Sequence, residues 1–212
     1  STWEIPLLNT YHTTYEDYTH YVNFFDLEVV DSLSKKVVEV LSKSFTKKSN
    51  IVITPSQKTK DMLLGYGIEK QIEVIPTGLD LDRFDISKTD DQTKHDIKAK
   101  YHIANDQTLF TYVGRIAKEK SVDVLIDAFK IVKDNNVKAK LLIVGGGPDL
   151  EDLKKQAKKL DVLDYVFFEG LVPSDNVPMY YHTADAFISA STTETQGLTY
   201  IEALASGLGI FA

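Results

Sequence analysis

The chain has 212 residues, a hydrophobic content of 43% and a formal net charge of −7 at pH 7. These values are typical of a globular protein, and the acidic balance argues against a nucleic-acid binder. The chain has no cysteine, so disulfide bonds and thiolate metal sites are excluded. It also has no apolar run near the roughly 20 residues that span a bilayer, so we do not expect an integral membrane protein.

The first 78 residues predict strands alternating with a helix. A helix is expected at Leu33–Phe45, because apolar residues recur there at helical spacing. His12 follows the first predicted strand, at the sheet edge where sites form, although a lone histidine is more often structural. Short apolar runs predict three strands: Ile5–Leu8, Ile51–Ile53 and Ile72–Ile75.

The segment from Ser32 to Lys60 is basic in an otherwise acidic chain. It carries seven lysines against one acid, Glu39, and so has a charge of +6. Lys35, Lys36, Lys43, Lys47 and Lys48 all lie on or beside the predicted helix. A charge run of this kind is either a solvated face or an electrostatic contact surface.

The second half alternates regularly between strands and helices, which is typical of a parallel α/β sheet. The break between the halves is expected near Pro76–Leu79 or within the polar stretch Ser87–Asp106. Five strands are predicted: Leu109–Val113, Lys140–Val144, Tyr165–Phe168, Ala186–Ser189 and Leu208–Phe211. The last of them has no covering helix after it, and we expect the sequence to be an internal fragment.

Two cations follow the first strand of the second half. Arg115 stands directly after that strand, and Lys120 stands at the start of the next helix. In open α/β sheets ligands bind at this edge, where two fixed cations suit a diphosphate and the negative charge that develops as it leaves. Ordinary surface charge is the alternative, and Lys118 is left in that class.

Two glutamates stand eight positions apart in the run Ser191-Thr-Thr-Glu194-Thr-Gln-Gly197-Leu198-Thr199-Tyr-Ile-Glu202. Gly197, Leu198 and Thr199 lie at a predicted helix start, whose N–H groups can hold a phosphate. Glu202 lies one turn further along and can accept hydrogen bonds from vicinal hydroxyls such as those of a ribose. Glu194 precedes the helix and can reach the hydroxyls of a sugar. For the glutamates alone, solvated surface acids are the competing interpretation.

Two other motifs are given no site. Gly145-Gly-Gly147-Pro148 lacks the later glycine and the spaced acid of a dinucleotide fingerprint, so it is interpreted as a tight turn. Asp80-Leu-Asp82 has the spacing of a metal-binding pair. It follows Ile75-Pro-Thr-Gly78, which resembles an interdomain segment, so no metal is assigned.

These motifs together resemble the retaining GT-B glycosyltransferases of family 4, whose Glu-x7-Glu signature matches Glu194 and Glu202. The resemblance implies two Rossmann-like domains. Residues 1–78 would be the C-terminal part of the acceptor-binding domain, and residues 79–212 most of the nucleotide-sugar donor-binding domain. It implies that Glu194 contacts the donor sugar, that Arg115 and Lys120 bind the diphosphate, and that Glu202 binds the ribose.

The same resemblance extends to three further residues. It implies that backbone groups near Leu171 and Val172 meet the base, and that His12 hydrogen-bonds the sugar and orients the reaction. It implies no cofactor and no metal. A fragment that lacks the rest of both domains is expected to be inactive alone.

The runs Thr10–Tyr21 and Ile188–Tyr200 resemble the bacterial diacylglycerol glucosyltransferases more narrowly. This implies retaining transfer of glucose from UDP-glucose to 1,2-diacylglycerol, by a cytoplasmic protein on the inner face of the cell membrane. The lysines would then attract an anionic surface while Leu33, Val37, Leu41 and Phe45 embed in it. Alternatively that apolar stripe packs on the domain core. A soluble or different lipid acceptor, or a silent nucleotide-binding module, also remains open.

Overall fold

The computed structural model describes residues 5–12 and 28–212, and the side chains of the first helix from residue 36 onward. The chain divides into two compact units. Unit 1 comprises Ser1–Gly78 together with Thr193–Gln196, and unit 2 comprises Leu79–Thr192 and Gly197–Ala212. None of the helices described is long and apolar enough to cross a membrane.

Unit 1 contains a parallel three-stranded sheet in the order β1-β2-β3. Its strands are β1 (Leu8–Thr10), β2 (Ile51–Thr54) and β3 (Gln71–Val74), and its helices are α1 (Glu28–Lys47) and α2 (Gln57–Gly65). The first strand starts three residues later than the predicted Ile5–Leu8. The Leu7 N–H donates to the Asn50 side chain, at 2.8 Å, so regular pairing begins only at Leu8.

Helix α1 buries a hydroxyl-bearing face against its own unit. Ser42 and Thr46 of α1 are buried, as is Ser49 just after the helix. Ser42 Oγ and the Tyr11 hydroxyl oxygen form a hydrogen bond of 2.9 Å. The Thr46 hydroxyl donates back to the Ser42 carbonyl oxygen at 2.8 Å. Because the Ser42 and Thr46 hydroxyls each have a hydrogen-bond partner, the polar face of α1 can be buried without a large desolvation cost.

The apolar stripe of α1 points the other way. Val37, Val40, Leu41 and Phe45 are all exposed, and Phe45 retains 64% of its accessible surface. Val37, Leu41 and Phe45 are thus not part of a core formed by the described residues, and the alternative in which the stripe packs on the complete domain stays untested. The side chain of Leu33 lies outside the described part of α1.

Unit 2 contains a parallel five-stranded sheet in the order β6-β5-β4-β7-β8. Its strands are β4 (Thr108–Val113), β5 (Ala139–Val144), β6 (Val166–Gly170), β7 (Ala186–Ile188) and β8 (Gly209–Phe211). Its helices are α3 (Asp91–Lys100), α4 (Val122–Asp134), α5 (Leu150–Lys159), α6 (Val177–Thr183) and α7 (Leu198–Ala205). Alternate strand residues feed two cores, one per face. Leu142 packs with α3, α6 and α7 residues, and Leu141 with α4 and α5 residues.

The polar stretch Ser87–Asp106 is not a linker. It forms α3, whose N-cap Asp90 accepts from the Thr93 N–H at 2.7 Å. Ile97, Tyr101 and Ile103 are buried in the same core as Leu142. The division between the units falls before this stretch, at Gly78.

The strand order of unit 2 creates a switch point. From the central β4 the chain proceeds outward through β5 and β6, then returns to place β7 and β8 on the other side. The connection that follows β4 and the connection that follows β7 therefore run toward opposite edges of the sheet. In open parallel sheets ligands bind in the crevice outside the carboxyl ends of the two strands at such a point.

Candidate active site

Three loops at the carboxyl edge of the unit 2 sheet are joined by backbone hydrogen bonds. The Gly114 N–H donates to the Val144 carbonyl at 3.0 Å, and the Ile116 N–H donates to the Gly146 carbonyl at 2.9 Å. The Gly145 N–H donates in turn to the Gly170 carbonyl at 2.8 Å. The ends of β4, β5 and β6 thus form one continuous floor beside the switch point, which we call the loop floor.

Glycine is required where these loops touch. A Cβ atom on Gly145 would lie 1.8 Å from the Gly114 carbonyl oxygen, and one on Gly147 would lie 1.9 Å from that of Ile116. The glycine run is therefore the tight turn expected from the sequence, and its small size serves the packing of backbone on backbone.

Arg115 projects from the loop floor with its backbone held in place. The Tyr112 hydroxyl donates to the Arg115 carbonyl oxygen at 2.8 Å. The guanidinium Nη1 lies 3.9 Å from Oε1 of Glu119, whose side chain is almost completely buried. A buried carboxylate beneath a half-exposed guanidinium favours one orientation of the cation.

Lys120 ends a one-turn 3-10 helix, Lys118–Lys120, just before α4. Ser121 follows with a φ of +49° and connects this turn to α4. Lys120 is half-buried, whereas Lys118 is exposed. Arg115 and Lys120 thus stand at the two ends of one short loop after β4.

Helix α7 begins across the switch point from Arg115, after β7. Its N-cap is Gly197, with φ +68° and ψ +48°, a left-handed conformation that glycine adopts without steric cost. Leu198 and Thr199 form the first turn, where backbone N–H groups have no acceptor within the helix. This arrangement suits a phosphate group.

Glu202 lies in the next turn of α7 and is held by a buried tyrosine. The Tyr181 hydroxyl donates to Glu202 Oε2 at 2.9 Å. Burial raises the pKa of Glu202, whereas the hydrogen bond from Tyr181 and the charge of Arg83 lower it. A half-buried carboxylate with one oxygen already bonded can accept further hydrogen bonds from the hydroxyls of a ligand.

Leu171 and Val172 follow β6 on the same sheet edge. Leu171 is 84% exposed, and its Cγ lies 2.7 Å from where a Gly146 Cβ would stand. Val172 packs against the core beneath. Their assignment to the base stays a prediction, but their position beside the loop floor is consistent with it.

Two of the predicted residues belong to unit 1. His12 is exposed and stands two residues after the end of β1. Glu194 is half-buried in the Thr193–Gln196 segment, and Lys58 Nζ donates to its carbonyl oxygen at 3.3 Å. The other predicted donor residues, Arg115, Lys120, Leu171, Val172, Gly197, Leu198, Thr199 and Glu202, share the sheet edge of unit 2. The roles of all these residues stay predictions.

Four of the five predicted membrane-contact lysines can be placed. Lys36, Lys43, Lys47 and Lys48 are exposed on or beside α1. Lys43 donates to Glu39 at 2.6 Å, one turn earlier. The side chain of Lys35 lies outside the described residues.

Sequence reasoning missed Tyr181 and Glu119. Tyr181 is separated from Glu202 by a strand and a loop, so their contact exists only in the folded chain, where the Tyr181 hydroxyl reaches α7 from α6. In the sequence Glu119 is one more charged residue in a loop of charged residues, and only its burial in the folded chain distinguishes it from its neighbours Lys118 and Lys120. Among the side chains that the structure describes, residues 5–12 and 36–212, no group of three or more His, Cys, Asp or Glu could hold a metal ion. The expectation that no metal is needed stays a prediction.

Residues 93–212 match the family model described as Glycosyl transferases group 1, and residues 2–83 match Glycosyltransferase Family 4. The chain belongs to this glycosyltransferase family. The family predicted from the sequence motifs is thereby confirmed.

The chain is 38% identical to alpha-monoglucosyldiacylglycerol synthase of Streptococcus pneumoniae, covering 99% of this chain and 46% of that protein. It is 36% identical to the synthase of the same name from Acholeplasma laidlawii, covering 97% and 52%. The chain thus spans about half the length of these relatives. Anabaena Alr3699/HepE, solved in complex with UDP and glucose, has a similar fold, with a TM-score of 0.73, 20% identity and coverage of 97% and 52%. This likeness confirms the predicted α/β GT-B fold class.

Proposed function

We propose that this protein is a retaining hexosyltransferase that transfers glucose from UDP-glucose to 1,2-diacylglycerol at a membrane surface, forming alpha-monoglucosyldiacylglycerol. Two relatives at 36% and 38% identity are named as synthases of this glycolipid. A structural neighbour binds UDP and glucose. These names supply the substrates of the proposal, and the geometry of each unit supplies its physical basis.

The observation that carries the lipid acceptor is the outward apolar face of α1. Val37, Val40, Leu41 and Phe45 are exposed together, and Lys36, Lys43 and Lys47 follow one flank of the same helix at helical spacing. An apolar face bordered by lysines is the pattern of a helix that lies in a membrane interface. Each lysine near an anionic surface contributes about 1 kcal/mol of attraction. The protein would thus reach an acceptor that stays in the bilayer, on the cytoplasmic side.

The donor half of the proposal rests on the sheet edge of unit 2. Arg115 and Lys120 supply positive charge after β4, the first turn of α7 supplies N–H donors, and Glu202 supplies a carboxylate one turn further. A diphosphate held by the two cations and by the first turn of α7 leaves a ribose facing Glu202. Leu171 and Val172 then meet the base.

In the proposed reaction the acceptor attacks from the same face that the phosphate leaves. The bond between glucose C1 and the phosphate oxygen breaks, and a bond forms between C1 and the 3-hydroxyl oxygen of diacylglycerol. The hydroxyl proton passes to the departing phosphate oxygen, whose charge Arg115, Lys120 and the start of α7 stabilise. His12 and Glu194 hydrogen-bond the sugar, and no metal takes part.

A radiolabelled transfer assay on the full-length protein tests this proposal. It offers UDP-glucose, UDP-galactose and GDP-mannose in turn, with diacylglycerol in anionic micelles or with soluble sugars. Glucolipid formed from UDP-glucose, unaffected by EDTA, is the expected result. Labelled soluble product would indicate a different acceptor, loss of activity in EDTA would contradict the metal-free mechanism, and no product with any donor would indicate a silent nucleotide-binding module.

A further inference from the structure

The Tyr181 hydroxyl has two acceptors in reach but only one proton to donate. It lies 2.9 Å from Glu202 Oε2 and 3.3 Å from the Thr199 carbonyl oxygen. Hydrogen bonds to a charged acceptor are shorter and roughly twice as strong as neutral ones, so Glu202 is the preferred partner. Both acceptors belong to the first two turns of α7.

The tyrosine itself is fixed. Its side chain is fully buried, and its ring packs edge-on against Phe84 at 5.9 Å and tilted against Phe187 at 6.0 Å. A buried aromatic ring in such a setting keeps one rotamer. Its hydroxyl is therefore a donor at a constant position beneath a carboxylate that is itself half-buried.

We infer that Tyr181 is a positioning residue, which occupies Oε2 of Glu202 so that Oε1 faces the ribose hydroxyls of the nucleotide. This inference rests on the proposed function, since it assigns the ribose to Glu202. A glutamate side chain has several rotamers, and most of them would turn the carboxylate away from a ligand. A hydrogen bond that fixes one of them lowers the entropic cost of binding.

The charge state of Glu202 makes the role measurable. Two groups face this carboxylate: Tyr181 from α6 and Arg83 from the one-turn 3-10 helix Leu81–Phe84. Tyr181 lowers the Glu202 pKa through its hydrogen bond, and Arg83 lowers it through its positive charge. The ionised carboxylate is a stronger acceptor for the ribose hydroxyls than the protonated carboxyl, so affinity for UDP falls as the pH drops through the Glu202 pKa. Losing the Tyr181 hydroxyl raises that pKa and moves the fall to higher pH.

The test compares Tyr181→Phe with wild type in the full-length protein by calorimetry with UDP. Phenylalanine keeps the ring and its packing and removes only the hydroxyl. At mildly alkaline pH we expect the Kd for UDP to rise roughly tenfold, as for a hydrogen bond to a charged group. The increase grows as the pH is lowered. Tyr180→Phe is the matched control, because Tyr180 directly precedes Tyr181 on α6 and bonds Glu169 instead. The Kd of the Tyr180→Phe variant for UDP stays at the wild-type value.

A second ligand separates positioning from general packing. With 2′-deoxy-UDP one ribose hydroxyl is missing, so Tyr181→Phe should cost much less affinity than it does with UDP. In a Glu202→Ala background Tyr181→Phe should cost nothing further, since coupled residues are not additive. An equal loss for both ligands, or an unchanged Kd and pH profile, would overturn the inference while leaving the donor assignment intact. Wild-type protein that fails to bind UDP would overturn both.

Discussion

Arg115 Nη1 lies 3.9 Å from Oε1 of Glu119, and the two side chains are 51% and 1% exposed. One end of the pair is therefore available to a ligand and the other is enclosed by protein. A cation supported in this way is oriented before any ligand arrives, which is the condition under which electrostatic stabilisation of a leaving group is most effective.

Replacing this cation tests its role in turnover. In the full-length protein, Arg115→Ala should lower kcat by about 100- to 1000-fold, the usual effect of removing one preorganised charge-stabilising group. Lys118→Ala is the control, because Lys118 is exposed in the same loop and has no assigned role. Steady-state assays measure both. If Arg115→Ala or Glu194→Ala turned over like wild type, the assignment would be wrong.

The two left-handed glycines that bracket α7 form a matched pair. Gly197 has φ +68° and Gly207 has φ +80°. Alanine at either position should cost about 1 kcal/mol or more of unfolding free energy, because an L-residue is strained there. Only Gly197→Ala should also weaken UDP binding, since Gly197 begins the helix turn assigned to the phosphate. Urea unfolding and calorimetry separate the two effects. Equal UDP affinities for both variants would contradict the phosphate assignment.

The loop floor predicts a sharper loss of stability. A Cβ on Gly147 would lie 1.9 Å from the Ile116 carbonyl oxygen, and that backbone is fixed by its own hydrogen bonds. Gly147→Ala should therefore destabilise unit 2 by about 3 kcal/mol or more, at the upper end of overpacking costs. Gly209→Ala provides the comparison, because no described atom outside Gly209 and its two chain neighbours lies within 4 Å of its added Cβ. Chemical denaturation that finds both variants equally stable would show that the loops are not in contact.

The apolar face of α1 predicts membrane binding that depends on particular side chains. Phe45→Glu should reduce co-sedimentation with anionic vesicles about tenfold or more, because a buried phenylalanine contributes about 1.5–3 kcal/mol. Ile131→Glu on α4 is the control, since Ile131 and Phe45 are both 64% exposed. Added salt should weaken wild-type binding by screening the lysines. Equal vesicle binding by the two variants would remove α1 from the contact surface.

Much of unit 2 was predictable because its strands are short apolar runs bounded by turns. The run predicted at Leu109–Val113 forms Thr108–Val113, and Lys140–Val144 forms Ala139–Val144. Helix α3 was missed, because Ile97 is its only strongly apolar residue and one such residue sets no period. Its stability comes from packing on the core and from its Asp90 cap, and neither is visible in a polar stretch.

The orientation of α1 and the Tyr181–Glu202 contact were beyond the sequence for another reason. Periodicity predicted the helix but could not say which face is buried, because the Ser42 and Thr46 hydroxyls find partners only in the folded chain. The carboxylate of Glu202 was identified from its motif. The residue that holds it lies 21 positions earlier, on a different helix, and no local pattern connects the two.

The loop floor is assembled from main-chain groups, and its bonds therefore do not depend on which side chains the loops carry. Gly145 and Gly147 must remain glycine, but Arg115 and Leu171 can be exchanged without breaking any N–H···O=C link between the strand ends. Mutation can consequently change the side chains that line this edge while the scaffold stays constant. Such a division favours divergence of substrate preference among chains that share this architecture.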